Sequence, residues 1–363
     1  SNGWLAKGPA GMEYIPVMVA EHEIPLIVSA YQMGIRDYDV EKAFEAIKKM
    51  QTTPATRVAG GFAGNRDLLP YLKYKYVPIE KGRFSNTMEY SYDDWTVGQM
   101  AKALGKKEDY NFFSKRARAY TSLFDPVTKL MRGKDSQGKW REPFDPFRLS
   151  HAGTSGGDYT EGNAWQYVWH VQHDVDSLIE MMGGNKAFTA KLDSLFWLEN
   201  NTVNTGFVSD VTGLIGQYAH GNEPSHHVAY LYNYAGEFWK TQKLIREIFD
   251  HFYLPVSDGL CGNDDCGQMS AWYLFSAMGF YPVDPISKEY IIGAPQLKEM
   301  ILRLEGGKNF IIRAEGLSEE NKYVKAVFLN GKELKRFRIF HHEITDGGIL
   351  EFIMTDNPSK SFN

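Results

Sequence analysis

Glu161 has a side chain and a sequence context that are suited to acid–base chemistry. It lies between Tyr159 and Trp165, in a stretch rich in aromatic residues. Partial burial among aromatic rings raises the pKa of a carboxyl group, so that it can hold a proton at neutral pH. A protonated carboxyl can serve as a general acid. The alternative is a core glutamate that hydrogen-bonds to backbone, and the local sequence leaves both interpretations open.

Two adjacent aspartates, Asp264 and Asp265, come just before a predicted helix. The free amides and the dipole of a helix N-terminus stabilise carboxylates as anions, and an ionised aspartate can activate water. For one of the two, an ordinary helix cap is the alternative. A protonated Glu161 together with an ionised aspartate would make the two-carboxylate pair of glycoside hydrolysis.

The segment from His220 to His227 contains candidate metal ligands. Asn222 and Glu223 supply hard oxygen atoms, as calcium requires, and the loop can add backbone carbonyls. The histidines suggest zinc as a competing ion, but their spacing matches no common zinc motif. A structural helix start at Pro224 is the remaining alternative.

A further group of acids lies on a predicted helix over residues 86–104. Glu89, Asp93 and Asp94 can share one face of it, and Trp95 beside them is suited to form the floor of a sugar subsite. A solvated acidic face is the alternative. Asn86 and Glu89 are also spaced like a capping box at the helix start.

These residues are distributed over a mainly helical chain. Apolar periodicity and glycine stops predict about nine helices, near residues 12–33, 40–50, 86–104, 108–122, 163–182, 185–198, 225–235, 238–253 and 267–279. After Pro282 the segments become short and β-branched, with turns such as Asn330-Gly331. We therefore predict an α/α-toroid portion over residues 1–282 and a β-strand module over residues 283–363.

Composition excludes several classes of protein. Among 363 residues, 40 basic and 45 acidic side chains give a net charge of −5, so nucleic acid is not an expected partner. No stretch approaches the roughly 18 to 20 continuous apolar residues of a membrane span. The 22 Phe, 21 Tyr and 8 Trp, set among polar side chains, suit sugar binding but are also typical of large cores. Cys261 and Cys266 could form a disulfide or remain free thiols.

The motifs as a set resemble glycoside hydrolase family 92, the calcium-dependent exo-acting α-mannosidases. The resemblance rests on long strings, which include Met88-Glu-Tyr-Ser-Tyr-Asp-Asp-Trp95, Glu161-Gly-Asn-Ala-Trp-Gln-Tyr167, His220-Gly-Asn-Glu-Pro-Ser-His-His227 and Gly262-Asn-Asp-Asp-Cys-Gly-Gln-Met-Ser-Ala-Trp-Tyr273. It covers nearly the whole chain.

The resemblance implies an (α/α)6 barrel and hydrolysis of terminal α-mannosyl residues of glycans with inversion. Glu161 would be the general acid, and Asp264 or Asp265 the base that activates water. For an inverting pair, the two carboxyl groups should lie roughly 6.5 to 9.5 Å apart. The resemblance also implies calcium as the cofactor.

Further site residues follow from the same resemblance. The expected calcium ligands are Asn222, Glu223 and Asn263. The expected substrate-binding side chains are Trp95, Asp94, Trp165, His226 and His227.

Family members are about twice as long, with an N-terminal β-sandwich and the first barrel helices ahead of the point where this chain begins. We therefore expect an incomplete barrel and a missing β-sandwich as its partner within one polypeptide. The glycan substrates of the family also imply a periplasmic, secreted or cell-surface location. Two alternatives stay open: a catalytically silent glycan-binding fragment, and an α/α-toroid glycosidase of other sugar specificity.

Overall fold

A computed structural model describes residues 3–5, 22–58, 61–150, 158–199 and 208–358. Within these ranges the α-helices are α1 Glu23–Gln32, α2 Val40–Thr52, α3 Leu68–Tyr74, α4 Asn86–Ala103, α5 Lys107–Arg116, α6 Ala164–Tyr167, α7 Val175–Met182, α8 Asn185–Trp197, α9 Phe238–Phe252, α10 Gln268–Met278 and α11 His341–Thr345. Short 3-10 helices span Ala119–Leu123, Glu223–Ser225, Val228–Ala235 and Glu305–Gly307.

Strands are short in the first part of the chain and longer near its end. They are β1 Thr56–Val58, β2 Gly61–Ala63, β3 Phe124–Asp125, β4 Leu130–Met131, β5 Leu214–Ile215, β6 Tyr218–Ala219, β7 Phe280–Tyr281, β8 Glu289–Ile292, β9 Glu299–Arg303, β10 Asn309–Glu315, β11 Tyr323–Leu329, β12 Lys332–Glu333, β13 Arg338–Phe340 and β14 Gly348–Thr355. The predicted order, helices followed by a C-terminal sheet module, is confirmed.

Most predicted helices are present, with four differences. The segment predicted as one helix over 108–122 forms α5, which ends at Arg116, and the 3-10 helix Ala119–Leu123. The segment predicted as one helix over 163–182 forms α6 and α7, because His170 to Asp174 leave the helical path between them. The segment over 225–235 folds as 3-10 turns instead of an α-helix. Of the segment over 12–33, residues 12–21 lie outside the described ranges, and α1 accounts for its end.

The chain divides into two compact units. The first contains residues 1–173 and 201–208, and the second contains residues 174–200 and 209–363. The boundary that the sequence predicts near residue 282 stays a prediction. Among the described helices, none combines the length and the apolar character that crossing a bilayer requires.

Helix α4 forms the centre of the first unit and packs against α1, α2 and α5. It is buried on nearly every side, including its acidic residues. Asp94, which is inaccessible to solvent, accepts hydrogen bonds from Arg116 Nε at 2.6 Å and from the Tyr71 hydroxyl at 2.8 Å. Asp93 accepts one from Gln51 Nε2 at 3.1 Å. The interpretation of α4 as a solvated acidic face is therefore wrong.

Glu89 forms the third buried acidic contact of α4. Its Oε2 lies 3.0 Å from His170 Nε2, and its Oε1 accepts a hydrogen bond from the Tyr167 hydroxyl at 3.3 Å. The capping-box expectation is wrong, because Glu89 turns to His170 and Asn86 donates to Asp67 Oδ2 at 2.8 Å. Burial alone would raise the pKa of Glu89, but the charge and hydrogen bond of His170 outweigh burial and lower it to about 2. The same contact raises the pKa of His170, against the effect of its own burial.

The second unit contains α7 to α10 and the C-terminal sheets. Its largest sheet has five strands in the order β12-β11-β14-β10-β9, and β10 and β14 run parallel. One face of this sheet buries a hydrophobic core that includes Phe310, Val327 and Phe352. The predicted Asn330-Gly331 turn is confirmed, since both residues have positive φ and join β11 to β12.

The buried pair of Glu89 and His170 predicts a pH-dependent loss of stability in Glu89→Gln. Interaction with His170 holds the pKa of Glu89 at about 2, below its usual 4.5, so the ionised pair stabilises the fold, and removal of one partner of a buried ion pair costs about 3 to 5 kcal/mol. Glu89 contributes this stability above pH 4.5 and loses it as the pH falls toward 2. His170 contributes below pH 6.5 and loses its share as the pH rises through its raised pKa. Urea unfolding should therefore show the largest difference between wild type and variant from about pH 4.5 to 6.5.

The matched control is Glu41→Gln. Glu41 makes an exposed ion pair with Lys106, and exposed pairs contribute little to stability because water and salt screen them. This variant should differ little from wild type at every pH. If the loss of unfolding free energy in Glu89→Gln were the same from pH 5 to pH 9, the assigned ion pair would be contradicted.

Candidate functional site

Glu161 lies in a loop whose backbone is fixed on both sides. Ser150 and Gly162 exchange two backbone hydrogen bonds, of 3.0 and 3.1 Å, directly after Glu161. The next residue, Asn163, caps α6 by accepting hydrogen bonds from the amides of Trp165 and Gln166. Gln166 Oε1 in turn accepts a hydrogen bond from the Asn163 backbone amide at 2.9 Å, which completes a capping box. The position of Glu161 is therefore set by its neighbours.

The backbone of Glu161 itself is in a conformation that side chains disfavour. Its φ is +54°, in the left-handed region, where a residue with a Cβ is strained by about 1 to 2 kcal/mol. Strain of this kind persists only where the surrounding contacts hold it, and it is frequent at functional sites. The half-buried Glu161 thus has both the chemical group and the backbone signature of a functional residue.

Arg83 lies beside this loop, although sequence analysis did not single it out. Its Nη1 donates hydrogen bonds to the Tyr159 carbonyl at 3.0 Å and to Thr160 Oγ1 at 3.4 Å. Burial lowers the pKa of Arg83, while the nearby carboxylates Asp67 and Glu161 act to raise it.

The aromatic candidates of the first unit pack on other rings. Trp95 is half-buried, and its ring centroid lies 6.1 Å from that of His173. Trp165 is also half-buried, at 6.1 Å from the ring of Phe147. The carboxylate of Asp94, also predicted to bind substrate, is engaged by Arg116 and Tyr71.

In the second unit, three loops approach one another through glycines. A Cβ on Gly262 would lie 2.9 Å from the Gly221 carbonyl oxygen, and a Cβ on Gly221 would lie 2.0 Å from Thr212 Oγ1. A Cβ on Gly213 would lie 2.3 Å from Cys261 Sγ. These distances exclude side chains at all three positions. The close backbone contact brings the residues after Gly221 next to the residues after Gly262.

The candidate calcium ligands follow directly after these glycines. Asn222 is buried with 3% exposure, whereas Glu223 and Asn263 are exposed. Amide, carboxylate and carbonyl oxygens are the ligands that calcium prefers, and this loop pair supplies all three types. In the described part of the chain, no three His, Cys, Asp or Glu side chains gather as a metal site. Because the side chains of Asn222, Glu223 and Asn263 all offer oxygen atoms, they fit calcium better than zinc, which prefers nitrogen and sulfur ligands.

The two adjacent aspartates have different surroundings. Asp264 Oδ1 accepts hydrogen bonds from the Ser270 amide at 3.0 Å and from Ser270 Oγ at 2.9 Å, so Asp264 caps the first turn of α10. Asp265 is exposed and has φ of +47°. Partial burial and the charges of Asp210 and Asp264 raise the pKa of Asp265. A raised pKa makes a carboxylate a stronger base.

The histidines of the same loop are buried. His226 Nε2 donates to the His220 carbonyl at 3.0 Å, and its Nδ1 then accepts from Gln268 Nε2 at 3.1 Å. Burial lowers the pKa of His226 to about 4, so it is neutral at physiological pH. His227 is 8% exposed. Both ring nitrogens of His226 are thus used within the protein.

Both cysteines are free thiols in this structure. Cys261 Sγ packs against Gly213, and burial raises the pKa of Cys261 to about 11. A thiol with so high a pKa is a poor nucleophile.

The structure groups the predicted residues by unit. Glu161, Trp95, Asp94 and Trp165 belong to the first, and the expected calcium ligands, the histidines and both aspartates belong to the second. The separation between Glu161 and either aspartate stays a prediction. Sequence analysis missed the residues that hold these loops, namely Ser150, Thr212, Gln268 and Ser270. The repeated glycines in the loop sequences were the one available signal.

Several known proteins are similar to this chain over most of its length. The chain matches the family model described as the glycosyl hydrolase family 92 catalytic domain over residues 1–356. An uncharacterized secreted glycosidase from Arthroderma benhamiae is 29% identical over 368 residues, which cover 92% of this chain and 45% of that protein.

Two solved structures from Bacteroides thetaiotaomicron are also similar. A family GH92 alpha-mannosidase in complex with mannoimidazole is 42% identical, with a TM-score of 0.87, over 94% of this chain and 44% of that one. A family GH92 inverting mannosidase is 36% identical, with a TM-score of 0.85, over 99% of this chain and 49% of that one. The chain thus spans about half the length of these relatives. Because the family model covers residues 1–356, the chain belongs to glycosyl hydrolase family 92.

Proposed function

We propose that this chain is the catalytic portion of a hydrolase that removes terminal α-linked mannose from glycans, with inversion and with calcium. The observation that carries the proposal is the match to the family 92 catalytic domain over residues 1–356. Two similar structures of family GH92 mannosidases, at 42% and 36% identity, support the proposed sugar specificity. We propose that the helical part belongs to an (α/α)6 barrel, as the family resemblance implies.

In this proposal Glu161 is the general acid. It would protonate the glycosidic oxygen as the bond to the anomeric carbon breaks, so that the leaving sugar departs as an alcohol. The fixed loop between Ser150 and Asn163 supports this role, because a proton donor must be held within hydrogen-bond reach of the oxygen. Trp165, four residues further on, is proposed to contact the sugar with its exposed edge, together with Trp95.

Asp265 is the proposed base, and Asp264 the helix cap. Asp265 would take a proton from the water that attacks the anomeric carbon on the face opposite the leaving group, which inverts the configuration. The hydrogen bonds from Ser270 to Asp264 support this division of roles. Asp94 and His226 are proposed to hold their elements in place, since their polar atoms already have protein partners.

Asn222, Glu223 and Asn263 are the proposed calcium ligands. Calcium would coordinate the oxygen atoms of the sugar hydroxyls, and this coordination would favour a distorted sugar ring. The approach of the Gly221 and Gly262 backbones supports this proposal, because the proposed ligands follow directly after these two glycines. We further propose a periplasmic, secreted or cell-surface location, and an N-terminal β-sandwich domain in the complete enzyme. The relatives' greater length and the secreted relative support these proposals.

Mannose release from α-mannobiose, with calcium or with chelator, tests the function. The assay should be run on this chain and on a version extended upstream to include the proposed β-sandwich. Calcium-dependent release by either version supports a mannosidase. Binding of mannose without release by both would instead indicate a silent glycan-binding fragment, and calcium-independent cleavage of α-glucosides would indicate another specificity.

Replacing Glu161 tests the general acid. Glu161→Gln keeps the side-chain size but cannot give a proton, so kcat/KM on α-mannobiose should fall by about 10² to 10⁴-fold. The kcat/KM on an aryl mannoside, whose leaving group needs no protonation, should fall far less. Equal losses on the two substrates would contradict the role.

Glu161→Gly separates stability from catalysis. Glycine takes a φ of +54° without strain, so this variant should unfold at the same or a higher temperature while being inactive on α-mannobiose. Lys129→Gly is the matched control, because Lys129 has the same φ of 54°. It should also gain stability but keep full activity.

Separate replacement of the two aspartates tests the base. Asp265→Asn should lower kcat on α-mannobiose and on the aryl mannoside alike by about 10² to 10⁴-fold, because water attack is needed for both. Asp264→Asn should keep most of the activity and lose about 1 kcal/mol of unfolding free energy, since it weakens a helix cap. The reverse pattern of activity would assign the base to Asp264.

Removal of the glycine contact tests the calcium site. Gly262→Ala should push the Asn263 loop away from Gly221 and weaken calcium binding at least tenfold, as measured by isothermal titration calorimetry. The thermal stabilisation by calcium should shrink in parallel, since calcium at 100 times its Kd adds about 2.7 kcal/mol. Gly98→Ala is the control, because its Cβ would make only ordinary contacts from 3.4 Å outward. Unchanged calcium affinity in Gly262→Ala would contradict the site.

A further inference from the structure

A cleft of about 410 Å³ lies in the second unit, where α8 ends and α9 begins. Trp197, at the end of α8, and Trp239, at the start of α9, both line it. None of the proposed catalytic or calcium-binding residues is among its lining residues. Its volume lies within the range of small-molecule sites, which is roughly 300 to 1,000 Å³.

The two indole rings of the cleft are presented to solvent in an unusual way. Trp197 is 78% exposed, although a large aromatic side chain gains free energy when it is buried. Trp239 is half-buried, and its Nε1 donates a hydrogen bond to Glu237 Oε2 at 2.9 Å. This hydrogen bond fixes the orientation of the ring. Trp197 thus offers an exposed indole and Trp239 an oriented one, and tryptophan provides a flat apolar surface at little cost in side-chain entropy.

The polar side of the cleft is already ordered. Asp193 accepts hydrogen bonds from Lys240 Nζ at 2.7 and 2.9 Å, and from the Tyr232 hydroxyl at 2.9 Å. The Lys240 ammonium also lies 5.3 Å from the centroid of the Tyr232 ring. Donors and acceptors therefore stand at fixed positions next to the two indoles.

The charges of the cleft cancel. Asp193 and Glu247 are acidic, and Lys240 and Lys243 are basic. A site with no net charge gives no preference for a polyanion or a polycation. Flat aromatic faces beside uncharged or paired hydrogen-bonding groups match a neutral sugar, which has apolar C–H patches as well as hydroxyls.

We propose that this cleft is a second carbohydrate-binding site, which holds a neutral glycan chain on Trp197 and Trp239 apart from the catalytic residues. Pyranose rings stack on the two indoles, and Asp193 with Lys240 hydrogen-bonds their hydroxyls. The neutral-glycan chemistry follows from the cleft alone. The choice of a mannan as its ligand rests on the proposed function.

Affinity electrophoresis in native gels tests the proposal. The full chain is run in gels that contain neutral yeast α-mannan, neutral β-glucan or anionic polygalacturonate, beside Trp197→Ala, Trp239→Ala and the double variant. The chain carries Glu161→Gln throughout, so that mannan is not degraded. Tyr38→Ala is the matched control, because Tyr38 is an exposed ring of the first unit.

The expected result is retardation by α-mannan that each tryptophan variant weakens at least tenfold in apparent Kd, and that Tyr38→Ala leaves unchanged. Trp197→Ala without the Glu161 substitution should keep the kcat/KM of wild type on an aryl mannoside, because that small substrate does not need the cleft. Circular dichroism and thermal unfolding confirm that the variants fold.

Other outcomes are decided in the same gels. Retardation by β-glucan and not by α-mannan, lost in the tryptophan variants, would keep the neutral-glycan site and reject mannan as its ligand, while the mannosidase function is decided separately by mannose release from α-mannobiose. Retardation by polygalacturonate alone, or no retardation in any gel, would overturn the proposal. Retardation by mannan that survives in the double variant would place glycan binding outside this cleft and overturn it as well.

Discussion

The burial of three carboxylates on helix α4 is the constraint on which the first unit depends. A carboxylate removed from water is tolerated only when a charge or hydrogen-bond donor meets it. Each acid of α4 finds its partner on a different part of the unit: Asp93 on α2, Asp94 at the end of α5, and Glu89 just after α6. The helix therefore fixes three neighbours at once through polar contacts that do not tolerate a shift in register.

The same constraint reaches the loop of Glu161. The hydroxyl of Tyr167, the last residue of α6, donates a hydrogen bond to Glu89. The Tyr167 ring packs beside Gly162, because a Cβ added to Gly162 would lie 3.5 Å from a ring carbon. The start of α6 is held by the Asn163 capping box, and its end by Glu89 and His170. A helix of one turn is unstable on its own, because nucleation is costly. Contacts at both ends make it rigid enough to hold a strained residue beside it.

Sequence reasoning succeeded where one local pattern decides the structure. The amphipathic period of α2, the sharp ends of α8 to α10 and the β-branched segments of the C-terminal sheet all match the prediction. It failed where distant residues compete for the same group. The spacing of Asn86 and Glu89 indicates a capping box, yet Glu89 pairs with His170, which lies some eighty positions further along the chain. The approach of Gly221 to Gly262 could not be predicted either, because a glycine in the sequence does not show which neighbouring residue leaves no room for a side chain.

Helix starts explain why the proposed functional residues could be found from local sequence although their surroundings could not. Glu161 lies two residues before the cap of α6, Asp265 directly after the cap of α10, and Glu223 at the first position of a 3-10 helix. A helix start leaves several amides in need of acceptors, so it selects Asn, Asp or Ser at a fixed position and orders the loop just before it. At α6 the side chain of Asn163 accepts hydrogen bonds from such amides, and near the start of α10 the side chain of Asp264 accepts one from the Ser270 amide. Asp264 and Asp265 are the clearest case, because two identical side chains at adjacent positions have different surroundings: Asp264 accepts two hydrogen bonds from Ser270, whereas Asp265 is exposed.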